Sequence, residues 1–249
     1  MDVTLAPTLA TLREVYSMPR DMARFREYLR RMTEGTRDVV VPIVNANPMA
    51  KDHVLKALDA LEAFDAERVA LEAACRAAAR LPHVARAFKF ALVLADDVGG
   101  GWTDRHLTDA EHRFEGGPMV KRGFATALVW TSETPTAEGV ATLAAAAVYR
   151  AAHLARHGAP TTLGEAIRQE GRVARFAGRT FPAVAPADAA VAQRVIATRL
   201  AARDFATRFA AMYGDEAARR AGHAPLGVAA WAGFAAAEHA AAGAPERDV

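Results

Sequence analysis

The segment FKFALVLADDVGGGWTDRHLTDAEH (88–112) carries the reading of this chain. From Phe90 to Ala95 every side chain is apolar or small, and the run then breaks into Asp96, Asp97 and three glycines. A short apolar run of this kind is a strand buried on both faces, or a buried helix segment, since periodicity alone does not separate the two. Gly99, Gly100 and Gly101 free the backbone for a tight turn or close approach to a ligand. Trp102, Thr103, Asp104, Arg105 and His106 follow at once. So dense a polar group after a buried element points to a site at its end, where α/β folds place their ligands.

Working outward, GFATALVWTS (123–132) is a second strand-like run, and it too ends in polar residues: Thr131, Ser132 and then Glu133. If the two runs are parallel neighbours, their polar ends line one cleft. DVVVPIV (38–44) is β-branched and bounded by polar residues, so it is expected as a third strand, with Pro42 confining it to an edge or bulge. Around these lie helices. In RDMARFREYLRRMT (20–33), Met22, Phe25, Leu29 and Met32 recur at helical spacing, and Gly35 is the stop signal. In NANPMAKDHVLKALDALEAF (45–64), Asn47 is expected as the N-cap and Pro48 as the first helical residue, with Val54, Leu55, Leu58 and Leu61 as the stripe. Another helix covers about 65–81 and ends before Pro82.

From Thr134 the pattern is helical throughout. One helix is expected from Thr134-Pro135 to about His157, stopped by Gly158. A second, at about 163–177, opens on the capping box of Thr162 and Glu165. A long one follows at about 187–213 and a last near 225–242. The fold expected is therefore mixed α/β: a small sheet of about three strands in the N-terminal half surrounded by helices, with a helical C-terminal half. The alternative is an all-α chain. Residues 1–133 form the mixed part carrying the site, 134–243 the helical part and 244–249 a disordered tail, together one structural unit.

Composition narrows the function. The chain has 249 residues, 52% hydrophobic and 24% charged, with a net charge of +2. A balance so near neutral argues against a nucleic-acid binder, which concentrates Lys and Arg on one face. The single cysteine, Cys75, rules out an internal disulfide, and its alanine-rich surroundings suggest a buried thiol. No basic start with an apolar core marks a secretory signal, and no run of about 18 apolar residues suggests a membrane span. The expectation is a cytoplasmic protein with no membrane partner; a homo-oligomer is compatible with it.

Three places hold chemistry-bearing residues. Asp96 and Asp97 can hold a divalent metal through oxygen, or one can act as a base whose pKa the other raises. His106 and His112 follow, with Asp104 just before them and Asp109 between them, and imidazole beside carboxylate ligates a metal or relays a proton. The other reading is a solvated loop in which Asp109 caps the next helix. The GGG matches neither a phosphate-binding loop nor a dinucleotide fingerprint. The second place is NANPMAKDH (45–53), where a helix N-terminus, Lys51, Asn45 and Asn47 suit an anion, or merely make a well-capped helix. The third is YRAAHLARHG (149–158), in which His153 and His157 share a helical face at metal-site spacing, or simply answer the helix dipole.

Taken together, these residues suggest an enzyme acting on a small polar or anionic molecule, with metal-assisted hydrolysis as the reaction class. Asp96, Asp97 and His106 are the catalytic candidates. Asn45, Asn47, Lys51, Gly99, Gly100, Gly101, Trp102, Thr103 and Arg105 are the substrate-binding ones. The candidate metal ligands are Asp97, His106 and His112, and separately His153 and His157. The competing reading is a non-enzymatic module on a helical scaffold, using the glycine loop for recognition with Trp102 as its anchor.

Overall fold

Three parallel strands, β1 (Asp2–Ala6), β2 (Ala87–Ala95) and β3 (Phe124–Trp130), form a sheet in the order β1-β2-β3. The computed structural model describes residues 1–98 and 101–242. The register runs from Asp2 opposite Ala87 to Ala6 opposite Ala91, and from Lys89 opposite Phe124 to Ala95 opposite Trp130. β2 is central and buried on both faces. Ala91, Val93 and Ala95 pack with Phe124, Leu128 and Trp130 on one side, while Phe88, Phe90, Leu92 and Leu94 fill the other. This explains the unbroken apolar run: a strand covered on both faces has no polar alternation to show.

Between β1 and β2 come α1 (Thr8–Tyr16), α2 (Met22–Thr33), α3 (Asp52–Glu62) and α4 (Ala66–Ala79). α1 and α4 pack on the sheet. β1 stops at Pro7, and the Thr8 hydroxyl continues the ladder by donating to the Leu92 carbonyl at 2.5 Å. Glu67 of α4 caps α1 from outside, its Oε1 accepting from the Leu9 N–H at 2.9 Å. α5 (Arg105–Phe114) and α6 (Gly117–Lys121) link β2 to β3. Then follow α7 (Ala137–His157), α8 (Leu163–Ala177), α9 (Pro186–Ala197), α10 (Phe205–Tyr213), α11 (Asp215–Arg220) and α12 (Ala232–Ala242). No helix among the described residues is long and apolar enough to cross a membrane.

The mixed α/β class and the helical C-terminal half are as expected, but the strand membership differs. β1 takes the place of 38–44, which is turn and bend. There the Val40 and Val41 N–H groups both turn back to the Met32 carbonyl, at 2.8 and 3.1 Å, and Pro42 has no N–H to offer a ladder. The α2 stripe is also rotated from expectation. Arg24 and Tyr28 are buried, and Met22 and Leu29 are exposed. The Tyr28 hydroxyl takes the Ile43 carbonyl at 2.7 Å, and Arg24 donates to the carbonyls of Tyr16 and Met18. α3 begins at Asp52, four residues after Pro48, because the Asn47 side chain caps only a turn through Met49 N–H at 2.9 Å.

Three further expectations are corrected. Cys75 is exposed, since the alanines at 66, 70, 73, 74, 77 and 78 form the buried face of α4. Asp109 lies inside α5, whose first turn is capped instead by Asp104 through the Leu107 N–H at 2.9 Å. The long helix at 187–213 is two, because Asp204 caps a new start by accepting from Thr207 N–H at 2.7 Å. The capping box at Thr162 and Glu165 is present as read, with Gly178 closing α8. The expected tail, 244–249, lies outside the described residues.

Two compact units divide the chain: residues 1–108 with 118–152, and residues 109–117 with 153–249. The first contains the sheet. In the second, α8 packs closely on α12, where a Cβ on Gly171 would stand 2.4 Å from the Ala237 carbonyl oxygen. Its core also encloses charge. Arg113 donates to Asp109 at 2.7 Å and to Glu170, while Tyr213 donates to Asp109 at 2.9 Å and the Gln169 amide to the Arg113 carbonyl at 2.8 Å. All five residues are buried. Burial pushes the Asp109 carboxyl up, but Arg113, Arg179 and Tyr213 outweigh it and hold it below the usual carboxylate range.

Candidate functional site

Because β2 and β3 are parallel and in register through Ala95 and Trp130, Asp96 and Asp97 emerge beside Thr131 and Ser132. Asp96 is fully buried and every side of its carboxylate is met. Oδ2 accepts from the Asn47 amide at 2.8 Å, and Oδ1 lies 2.7 Å from His53 Nε2 and accepts from the Thr131 hydroxyl at 3.1 Å. The backbone oxygen of the same residue accepts from Trp102 N–H at 3.1 Å, Thr103 N–H at 3.0 Å and the Thr103 hydroxyl at 3.0 Å. Gly101 is required in this wrap, since a Cβ there would fall 2.8 Å from the Asp96 carbonyl and 2.9 Å from its Oδ1.

Burial raises the Asp96 carboxyl, yet the bonds from Asn47 and His53, with Thr131, bring it below its ordinary value. It is therefore an ionised, acceptor-only group at neutral pH. Its partner must then donate, so His53 presents Nε2–H to the carboxylate. His53 stands in the first turn of α3 with its side chain 31% exposed. A buried acid thus holds a reachable imidazole in one orientation.

Asp97 is built differently. Its Oδ1 accepts from Ser132 N–H at 3.0 Å, and its Oδ2 accepts from the Ser132 hydroxyl at 2.6 Å and from Arg105 at 3.2 Å. Arg105 also bonds Ser132 and Glu133, and its guanidinium sits 5.2 Å over the Trp130 ring. With its side chain 2% exposed, Asp97 fastens the turn after β3.

The structure thus brings together Asn47, Asp96, Asp97, Gly101, Thr103 and Arg105 from the expected set. Lys51 is exposed at the start of α3, Asn45 is half-buried in the preceding loop, and Trp102 is 49% exposed beside the Asp96 wrap. Gly99 and Gly100 lie outside the described residues. His106 is in the first turn of α5 and His112 in its last. His153 and His157 have their rings 4.7 Å apart near the end of α7. Burial, then Arg156 and Arg172, lower the His157 pKa. No three His, Cys, Asp or Glu side chains among the described residues group as a metal site.

Comparison of the chain with protein-family models, curated proteins and solved structures finds no match.

The residues the sequence reading missed are His53 and the two that support it, Thr131 and Tyr16. His53 sits inside NANPMAKDH, and Thr131 among the polar residues closing the second apolar run, so the signal was the segment and not the residue. Tyr16 is silent in the sequence. Its buried hydroxyl donates to the Asn47 carbonyl at 2.8 Å, and burial, then Tyr28 and Asp96, push its pKa far up, so it stays a donor.

Proposed function

We propose that this chain is an enzyme acting on a small polar or anionic molecule, with His53 as its acid–base group and Asp96 as the carboxylate that orients it. One observation carries the reading: a fully buried, ionised Asp96 holds His53 Nε2 at 2.7 Å while the ring remains reachable from solvent. An imidazole held by a buried acid and open to solvent is an arrangement suited to proton transfer. Lys51 and the start of α3 supply positive potential for an anionic group nearby. Hydrolysis through a His-activated water is the reaction class that fits best. Metal assistance through Asp97 and His106 would first require the Ser132 and Arg105 bonds to Asp97 to open.

Turnover of p-nitrophenyl esters and p-nitrophenyl phosphate by the parent chain, His53→Gln and Asp96→Asn tests this. Loss of general acid–base catalysis is expected to slow turnover about 10²–10⁴-fold in His53→Gln. Parent-like turnover in that variant sinks the reading. The recognition reading is favoured by the exposed Trp102 on its pinned loop, and it gains if Trp102→Ala abolishes capture of a protein partner while no small molecule perturbs His53.

A further inference from the structure

We propose that α2 docks on an anionic lipid surface, lying in its plane with Met22, Phe25, Leu29 and Met32 at the acyl boundary and arginines at the headgroups. This role stands apart from the acid–base reading of His53, and it departs from the expectation of a chain with no membrane partner.

The four apolar residues recur at steps of three, four and three, so they share one side of the helix. That spacing is the mark of a core face, but α2 turns Arg24 and Tyr28 inward instead. Both reach backbone carbonyls there, Arg24 those of Tyr16 and Met18 and Tyr28 that of Ile43. The stripe is left facing outward, with Met22 58% and Leu29 39% exposed and Phe25 and Met32 half-buried. The chain after α2 runs back beside it, because the Val40 and Val41 N–H groups bond the Met32 carbonyl and Ile43 meets Tyr28. It brings Val44, 47% exposed, to the same helix.

Charge decides what suits this side. Asp21 accepts from the Ala23 and Arg24 N–H groups, Glu27 from Arg30 and Arg31, and Asp38 from Arg122, which leaves Glu34 as an exposed acid at the helix end. Arg20, Arg26 and Arg37 are exposed, and no salt bridge among the described residues engages them. Arg26 stands one turn from both Met22 and Leu29, so cation and exposed apolar side chains share one ridge. A bilayer that is apolar beneath and anionic above matches this mixture, since arginines extend their heads to the phosphates while the stripe sinks below them. A second copy fits worse, because a two-fold interface sets the patch against itself and Arg26 against like charge. A protein groove fits worse too, since it closes over an apolar face and leaves charge at the rim.

Co-sedimentation of the full chain with vesicles tests this, using phosphatidylcholine alone and phosphatidylcholine with about a third phosphatidylserine, at low salt. The parent chain is expected to pellet with the anionic vesicles and to stay in solution with the neutral ones. Binding is expected to be lost when salt shortens the screening length to about 3 Å. Arg26→Glu is expected to weaken binding by about tenfold or more and Leu29→Gln by about fivefold. Both positions are exposed, near-ultraviolet circular dichroism checks the fold, and Met22→Gln replaces either variant that fails it. Val191→Gln, at an exposed apolar position of α9, is expected to bind as the parent does. A parent chain that stays in solution with anionic vesicles overturns the proposal and needs no variant to fold. So does parent-like binding in folded Arg26→Glu or Leu29→Gln. A dimer in sedimentation velocity that Leu29→Gln dissociates, without vesicle binding, assigns the stripe to a second copy. Capture on immobilised polyglutamate without vesicle binding assigns the arginines to an acidic protein, and either result overturns the lipid assignment.

Discussion

Two buried carboxylate centres stand in the two units of this chain, and they are finished in opposite ways. In the second unit Asp109 and Glu170 enclose Arg113, with Tyr213 and Gln169 filling the remaining positions. Arg113 and Glu170 are shut from solvent, and the cation bonded to both carboxylates is a guanidinium, which does not titrate in the physiological range. In the first unit Asp96 is equally buried, but its ionisable partner is a histidine that reaches solvent. One centre keeps its bonded charges in the core. The other leaves a single proton-carrying group at the surface. The difference separates charge enclosed within a core from buried charge that holds an imidazole reaching solvent.

The largest effect expected from this contrast is at Arg113. Arg113→Met fills similar space but removes the guanidinium bonded to both Asp109 and Glu170, at a cost of about 3–5 kcal/mol. Asp96→Asn, which keeps shape and most hydrogen-bonding capacity, is expected to cost about 1–3 kcal/mol, the range for one impaired buried polar group. Urea unfolding of both variants checks the order, and the contrast breaks if Arg113→Met proves the milder change.

The sequence disclosed the two centres unequally. Asp96 announced itself because an apolar strand stops at it, and the turn wrapped around it demands a glycine at 101. The parallel pairing of β2 with β3, which makes the two polar ends one site, depends on a pairing that no local pattern encodes. His53 and Tyr16 come to Asp96 and Asn47 across 43 and 31 residues, distances over which periodicity carries no information. Asp109 was legible as an acid but not in its role, since Tyr213, which donates to it, lies 104 positions further on, and Glu170, which shares Arg113 with it, lies 61 positions on. The errors in the sheet were local. β1 has five residues with a mixed burial pattern ahead of a proline, whereas 38–44 has β-branched composition but lacks the strand hydrogen bonds that composition suggests.

A smaller effect tests whether the two centres answer acid alike. Both Asp96 and Asp109 are held below the ordinary carboxylate range, so each binds fewer protons folded than unfolded. Their contributions are present above the unfolded value, near pH 4, and are lost as pH falls through the lower folded values. Thermal midpoints measured from pH 7 to pH 2 should therefore fall steeply on the acid side in the parent chain. Asp96→Asn should remove part of that slope. An acid limb as steep in Asp96→Asn as in the parent would mean that Asp96 contributes nothing through its ionisation.

Glu67 offers the smallest and most discriminating test, because it is a partly buried carboxylate to which no cation among the described residues is bonded. Burial pushes its pKa up, and the N–H groups of Leu9 and Ala10 with the Thr8 hydroxyl only partly offset this. The sign is opposite to that of Asp96: the ionised form is penalised at neutral pH, and the penalty is relieved as pH falls through the raised folded value. Glu67→Gln keeps an acceptor for the Leu9 N–H and removes the charge. It is therefore expected to match or exceed the parent in stability at pH 7, by less than about 1 kcal/mol, with the difference vanishing toward pH 4. Chemical unfolding at the two pH values reads this out. A variant less stable than the parent at pH 7 would show that the α1 cap needs a full negative charge at the helix dipole. Burial alone would then not decide which carboxylates of this chain act as liabilities and which as supports.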